Sequence, residues 1–500
     1  MVQLVPDVLL LIFAELQNYP SSLYSCILVN SSWCCVAVPI LWKFISYGYD
    51  APSDHKLESR EKLYNVIAHF LPNGPKDPLS KNNISLPLNK FPRKPMFEYM
   101  KYFTRIHPGW IRDMIQLSIN EGSTHKKNVL ESEIYKLIFN KCNNVKHFYW
   151  ITTEKLCSYP NAKPFFSSLQ SLVISLEFNT LTSQILPELS NICHNIINLE
   201  ICYCKEDSSD LVTFIDMQHN LQSLCLHLGD ENFEIEENDD ENDDGNAVDW
   251  NNIEEKQYTL LSDVILKKAD KLKQITLTPI ITLIDPEFLS SSVNIQNLEL
   301  NNDDGMYMDI DWRKWGKCLD KASFPHLKYF GTTFLPSNIE SLIIEKSGGN
   351  VLEIDIRYPL EFHDYPAENV KLIRTIYNNC PKLRKLTLNI DPKNLREVSG
   401  IFSNCTQLEK LHLTTKNYII PNGDELLKII SNESPATLRE FSFGDNWNFS
   451  LKGLESFFIY WKCQEKFPIK FTNYYDEMIY SWTDDHKKLV ERYRQDGTIR

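Results

Sequence analysis

The sequence predicts an α/β protein in which a short helical module precedes an array of strand–helix repeats. Two observations carry this expectation. An apolar-x-x-apolar-x-apolar signature recurs through most of the chain, and residues 1–45 stand outside it as apolar runs at helical spacing. The length agrees. Five hundred residues exceed one ordinary core of roughly 150, whereas an array grows without thickening its core.

The module comes first. Pro6 and Asp7 suit a helix start, because the first turn needs no amide hydrogen from Pro and its positive end favours Asp. Val8, Leu9, Ile12, Phe13 and Leu16 follow at helical spacing, and Leu10 and Leu11 extend the apolar face almost all round. Tyr19-Pro20-Ser21 is expected to break this helix, with Ser21 or Ser22 capping the next. A second helix carries Leu23, Cys26, Ile27 and Val29, and Asn30-Ser31-Ser32 reads as a turn. Trp33–Val38 reads as a third helix stopped by Pro39, ahead of Ile40, Leu41 and Trp42. So small and apolar a unit buries little surface alone, which implies a docking partner.

The pattern Pro6-Asp7-x-Leu9-x-x-Ile12, then Leu16, then Leu23-x-x-Cys26-x-x-Val29-Asn30-x-x-Trp33-Cys34, then Ala37-Val38-Pro39-x-Leu41-Trp42, resembles an F-box. The version is the one common in large fungal F-box families. Such modules dock on the Skp adaptor of a cullin–RING ubiquitin ligase. By this resemblance Pro6, Asp7, Leu9, Ile12, Leu16, Leu23, Val29, Trp33, Leu41 and Trp42 divide between the module's core and the adaptor contact. Val5 stands where the family usually has Leu before the Pro.

Residues 46–140 read as a helical and Pro-rich linker. Leu63, Val66, Ile67 and Phe70 suggest one helix, and Trp110, Ile111, Met114 and Leu117 another. Six Pro between Pro72 and Pro95 make a loop.

The repeats are read over residues 141–475. The copies begin at Val145, Leu169, Ile196, Leu221, Leu272, Ile295, Leu327, Val351, Leu383, Leu408 and Leu438, and the Leu327 copy is broken. Their spacings are 24, 27, 25, 51, 23, 32, 24, 32, 25 and 30 residues. They resemble leucine-rich repeats, which implies a right-handed solenoid with inner strands and outer helices. The polar residue that this family usually places three positions after the third anchor is matched only by Cys204 and Asn446, so irregular curvature is expected. Cys142, Cys193, Cys380 and Cys405 each precede a first anchor by three residues, where the helix hands over to the strand. Residues 476–500 read as a C-terminal capping helix.

The net charge of −14 belongs to one segment. Asp230–Glu255 holds 13 acidic residues and no Lys or Arg, leaving the remainder at −1. That segment reads as a disordered insertion at 230–255, lying in one repeat or replacing it. With no basic surplus, nucleic acid is not an expected partner. Thirteen Cys, an odd number without a CxxC pair, suggest reduced thiols and an intracellular place in cytoplasm, nucleus or both. No apolar run is long enough to cross a membrane. Val8–Ala14 lacks the preceding basic residues and following cleavage site of a signal peptide. Cys193, His194, Cys202 and Cys204 fit no usual zinc spacing, and Asp303, Asp304, Asp309 and Asp311 fit no calcium loop. No phosphate-cradling glycine motif, GxSxG or HExxH occurs, so neither an enzyme nor a cofactor is expected.

Strand alternation turns the residues between anchors away from the core. On that face Tyr149, Glu200, His227, Glu299, Asn301, Asp355, Arg357, Asn389 and His412 are the candidates for holding an unknown protein target. The resulting expectation is a substrate-recognition subunit of a Skp–cullin–F-box ligase. The alternative is a non-catalytic repeat scaffold bound to the adaptor without a ubiquitination role.

Overall fold

The structure, a computed structural model, describes residues 5–43, 54–72, 74–84, 86, 95–119, 123–177, 179–229, 257–302, 312–357, 369–415, 422–444, 447–464, 467–473 and 482–500. The acidic segment, the Asp303–Asp311 cluster and Asn446 lie outside the described residues. The chain divides into two compact units, one of residues 1–202 and 209–221, the other of residues 203–208 and 222–500.

The first unit begins with helices α1 (Pro6–Glu15), α2 (Pro20–Ile27) and α3 (Ser31–Lys43), then α4 (Asp54–Ala68) and α5 (Pro78–Lys81). It continues with β1 (Arg105–Ile106), α6 (Pro108–Ser118), α7 (Thr124–Lys141), β2 (His147–Trp150), α8 (Ala162–Ser167), β3 (Ser171–Ser175), α9 (Asn179–Ser190), β4 (Asn198–Cys204) and α10 (Ser209–Asp216). β1 to β4 pair in chain order, all parallel.

Two helix boundaries differ from the sequence reading. Pro20 begins α2 as its first residue instead of breaking the chain before it, because that position needs no amide hydrogen. α3 runs through Pro39 to Lys43. The missing Pro39 amide costs one helical hydrogen bond, which the burial of Val38 and Ile40 offsets. Asn30 caps this helix, accepting the Trp33 amide at 2.9 Å. The sheet also starts earlier than the first repeat read in the sequence, since Arg105–Ile106 pairs with His147–Phe148. A strand of two residues ahead of a Pro leaves no periodicity to read.

The second unit holds β5 (Ser223–Leu228), α11 (Thr259–Lys268), β6 (Gln274–Pro279), α12 (Phe288–Ser291), β7 (Asn297–Asn301), α13 (Trp312–Lys321), β8 (Tyr329–Thr333), α14 (Ser337–Glu345) and β9 (Glu353–Arg357). Then come α15 (Val370–Asn379), β10 (Lys385–Asn389), α16 (Arg396–Asn404), β11 (Lys410–Thr414), α17 (Asp424–Glu433), β12 (Glu440–Phe443), α18 (Leu451–Cys463), β13 (Lys470–Asn473) and α19 (Asp484–Gln495). β5 to β13 again pair in parallel and in chain order. This strand–helix alternation is a solenoid-like repeat. β5 pairs directly with β6, and the acidic segment lies between them in the chain.

The anchors make the core. Leu386, Leu388, Leu411, Leu413, Phe441 and Phe443 are all buried, as are Leu372, Ile373 and Ile376 on α15. In the broken copy at Leu327 the strand is intact. Thr332 takes the third anchor position, buried, and donates its hydroxyl to the buried Glu340 carboxylate of α14 at 2.7 Å. A hydroxyl is tolerated there because it is paired.

The cysteine regularity has a physical basis. Phe166, Cys193, Gln218, Cys380 and Cys405 all stand three residues before a first anchor. The Cys193 thiol donates to Phe166 O at 3.3 Å, the Gln218 amide to Cys193 O at 2.8 Å, and the Cys405 thiol to Cys380 O at 3.4 Å. Cys193, Gln218 and Cys405 thus each satisfy the carbonyl of the same position one repeat back. Burial pushes the Cys405 thiol up to about 12, keeping it a donor. Cys405→Ala is expected to cost about 1–3 kcal/mol in chemical denaturation, since it orphans a buried carbonyl.

α19 begins at Asp484, later than the sequence reading, behind a capping box of Thr483 and His486. It packs on α18. Among the described residues no helix is long and apolar enough to cross a membrane.

Candidate interaction surfaces

The three-helix module has two apolar faces. Leu9, Phe13, Leu23, Ala37 and Ile40 form its buried cluster, with Leu16, Cys26, Ile27, Trp33, Val36 and Leu41 packed against it. Phe13 meets Trp33 edge to face, centroids 5.3 Å apart. The other face is open. Val8, Leu11 and Ile12 recur at i, i+3 and i+4 on α1, and Tyr24 on α2 is followed at i+4 by Leu28, its C-cap. Leu11 and Leu28 are each 71% exposed. Of the 16 large hydrophobic residues exposed among the described ones, nine fall between Val5 and Val29. Scattered exposed Leu needs no explanation, whereas a concentration of this kind is the surface property that interaction faces have.

The motif residues sort accordingly. Leu9 and Leu23 belong to the core, while Leu16, Trp33 and Leu41 flank it. Pro6, Asp7, Ile12 and Val29 are exposed. Trp42 is half-buried against Tyr99 and Phe103, at 4.3 and 6.1 Å, so it joins the module to the residues before β1. The Thr104 hydroxyl donates to Lys43 O at 3.0 Å beside it. Phe13 and Ile40 complete the core without belonging to the quoted pattern, Ala37 completes it from within the pattern, and Leu10, Leu11 and Leu28 look outward. The all-round apolarity of α1 was the signal for the outward set.

The second surface is the strand face that carries the non-anchor residues. In the second unit the register stacks Thr276, Glu299, Gly331, Asp355, Thr387, His412, Ser442 and Thr472 in one row. A parallel row pairs Asn301 with Thr333 and Thr333 with Arg357, and further along Asn389 with Thr414. These are polar ladders. Thr276 and Asn301 donate to Glu299, at 3.5 and 3.0 Å, and Thr333 to Asn301 Oδ1 at 3.1 Å. Arg357 forks onto Asp355 at 2.8 and 2.7 Å. Glu299, Asn301 and Asp355 are half-buried and Arg357 exposed, whereas Asn389 and His412 are buried. Tyr329, which no sequence pattern singled out, folds its hydroxyl over Gly331. A Cβ there would lie 2.6 Å from it, so the glycine makes the room. Burial and the carboxylates of Glu299, Asp355 and Glu353 push its phenol well above the ordinary value. His227 on β5 lies 3.5 Å from the Cys225 thiol. In the first unit Tyr149, Val173 and Glu200 share a row, with Tyr149 and Glu200 half-buried.

His412 Nδ1 lies 2.8 Å from Ser442 Oγ. Burial, and then the Arg357 charge, hold the ring at about 4, against the opposing pull of Asp355 and Glu440. It is therefore neutral when folded and takes a proton more readily when unfolded. Its contribution is complete above the ordinary His value and is lost as pH falls from there towards 4. About 2–4 kcal/mol is expected to disappear over that window, and His412→Gln removes this part of the pH slope in denaturation titrations.

No family model matches the chain, and no curated protein matches it. A solved structure of a protein from Bacteroides fragilis is 14% identical, with a TM-score of 0.32, over 52% of this chain and 67% of that one. A likeness of that size carries no functional argument.

Proposed function

We propose that the chain is a substrate-recognition subunit of a Skp–cullin–F-box ubiquitin ligase, acting in cytoplasm or nucleus. The exposed apolar face of the module, Val8, Leu11, Ile12, Tyr24, Leu28 and Val29, is the observation that carries this reading. It belongs to the same residues whose sequence resembles an F-box. The module would dock on the Skp adaptor and through it join a cullin–RING ligase. The polar strand face, with Glu299, Asn301, Asp355 and Arg357, would hold a protein target. The chain makes and breaks no bonds in this scheme. It raises the effective concentration of the target at the ligase.

The test is binding of the purified full-length chain to a purified Skp adaptor by calorimetry. A one-to-one complex supports the reading, and its absence overturns it. A repeat scaffold without a ubiquitination role would also bind the adaptor. Accumulation of a co-purifying protein in cells carrying a chain without residues 1–43 separates the two, because a scaffold would leave that level unchanged.

A further inference from the structure

The first strands of the first unit carry a cluster that the ligase reading does not use. Arg105 is exposed and Ile106 is buried, and His107 continues the extended backbone with φ −112° and ψ 128°. Arg105 and His107 therefore share one side of the strand. The register sets Arg105 beside His147 on β2, and the His107 ring lies 4.7 Å from the Tyr149 ring. Strands stand about 4.8 Å apart and same-side residues about 7 Å apart along a strand, so these four side chains occupy the corners of one patch. Exposed Arg112 lies on α6, which starts at the residue after His107, near enough for its charge to act on that ring. The Gly109 amide donates to His107 Nδ1 at 3.1 Å. This capping bond fixes the orientation of the ring.

Among the described residues Arg105 and Arg112 form no ion pair. Burial lowers the proton affinity of both imidazoles. Arg112 and Arg105 add to the effect at His107, and Arg105 at His147. The charge of Arg112 acts on Glu131, whose carboxylate is also engaged by a hydroxyl, as is that of Glu154. Glu131 accepts the Thr152 hydroxyl at 2.8 Å and Glu154 the Tyr159 hydroxyl at 2.7 Å. The Lys146 ammonium is bonded to Ser168 O at 3.1 Å, and Glu200 lies two strands beyond Tyr149 in the row.

We propose that Arg105, Arg112 and His147 form a binding site for a phosphate-class dianion. The guanidinium groups offer forked donors matched to a tetrahedral oxyanion. His147 supplies the adjustable charge. Its proton is disfavoured in the empty site and favoured once a dianion sits beside it, so binding takes up a proton. The site is independent of adaptor docking, and the two readings fail separately.

The experiment is isothermal titration calorimetry of the full chain with sulfate, inorganic phosphate and a phosphoserine peptide. Sulfate stays a dianion across this range, so its pH dependence reports the protein alone. Sulfate affinity is expected to rise by up to about tenfold per pH unit as pH falls from 7.5 to 6, with proton uptake seen in buffers of different ionisation enthalpy. Arg105→Ala should weaken binding about tenfold or more, and His147→Gln should abolish the proton uptake while leaving thermal unfolding unchanged. A phosphopeptide bound at least ten times tighter than phosphate assigns the anion to a protein segment, and equal affinity assigns it to the free ion. The proposal is overturned if none of the three ligands gives a saturable isotherm, or if Arg105→Ala stays within twofold of the parent.

Discussion

On the proposed docking, Leu11→Asp is expected to weaken binding to the Skp adaptor by more than a hundredfold while leaving the fold intact. Leu11 is 71% exposed and absent from the module's buried cluster, so the substitution touches no packing. A surface change of this kind alters stability by about 0.5 kcal/mol or less. In a docked complex the new carboxylate would sit in apolar surroundings without a partner, a penalty of several kcal/mol. A hundredfold loss needs only about 2.7 kcal/mol. Leu9→Asp would be a poor substitute, since Leu9 is fully buried and its loss would unfold the module and abolish binding for the wrong reason. Circular dichroism together with adaptor calorimetry reads both quantities. Retained affinity for Leu11→Asp would remove the apolar face from the docking argument.

Gln218→Leu is expected to cost about 3–5 kcal/mol in denaturation of the chain. Gln218 is fully buried. Its amide donates to Cys193 O at 2.8 Å and Phe214 O at 3.0 Å, and its carbonyl accepts the Ile196 amide at 3.2 Å. Leu has a similar volume and keeps the packing, so the loss isolates three orphaned backbone groups inside an apolar core. Gln218 does for its repeat what a thiol does for others, with a longer reach and an added acceptor. A cost below about 1 kcal/mol would show that the handover bonds do not hold neighbouring repeats together.

Much of this architecture was legible in the chain itself. The anchors at Leu383, Leu386 and Leu388 or Leu408, Leu411 and Leu413 announce strands, because a buried strand must present apolar side chains at period two. Apolar spacing likewise announced α1 and α2. The recurrent Cys marked a real position, though not what its thiol does, since a hydrogen bond to the preceding repeat is invisible to local patterning. Gln218 was missed for the same reason: it fills the Cys position with a different side chain.

What only the tertiary structure decided depends on contacts between distant residues. Periodicity finds an apolar face but not what covers it, so Leu9 and Leu11 look alike in sequence while one is buried and the other open. Pro39 and Pro20 read as stops from local propensity, yet burial of the neighbouring side chains carries α3 through one and the free first-turn position admits the other. Arg105 and His147 stand 42 positions apart, and only the pairing of β1 with β2 makes them neighbours. The sequence by itself determined an α/β repeat chain behind a helical module. Register and packing decided which side chains meet, because they are fixed by the whole core and not by any one segment.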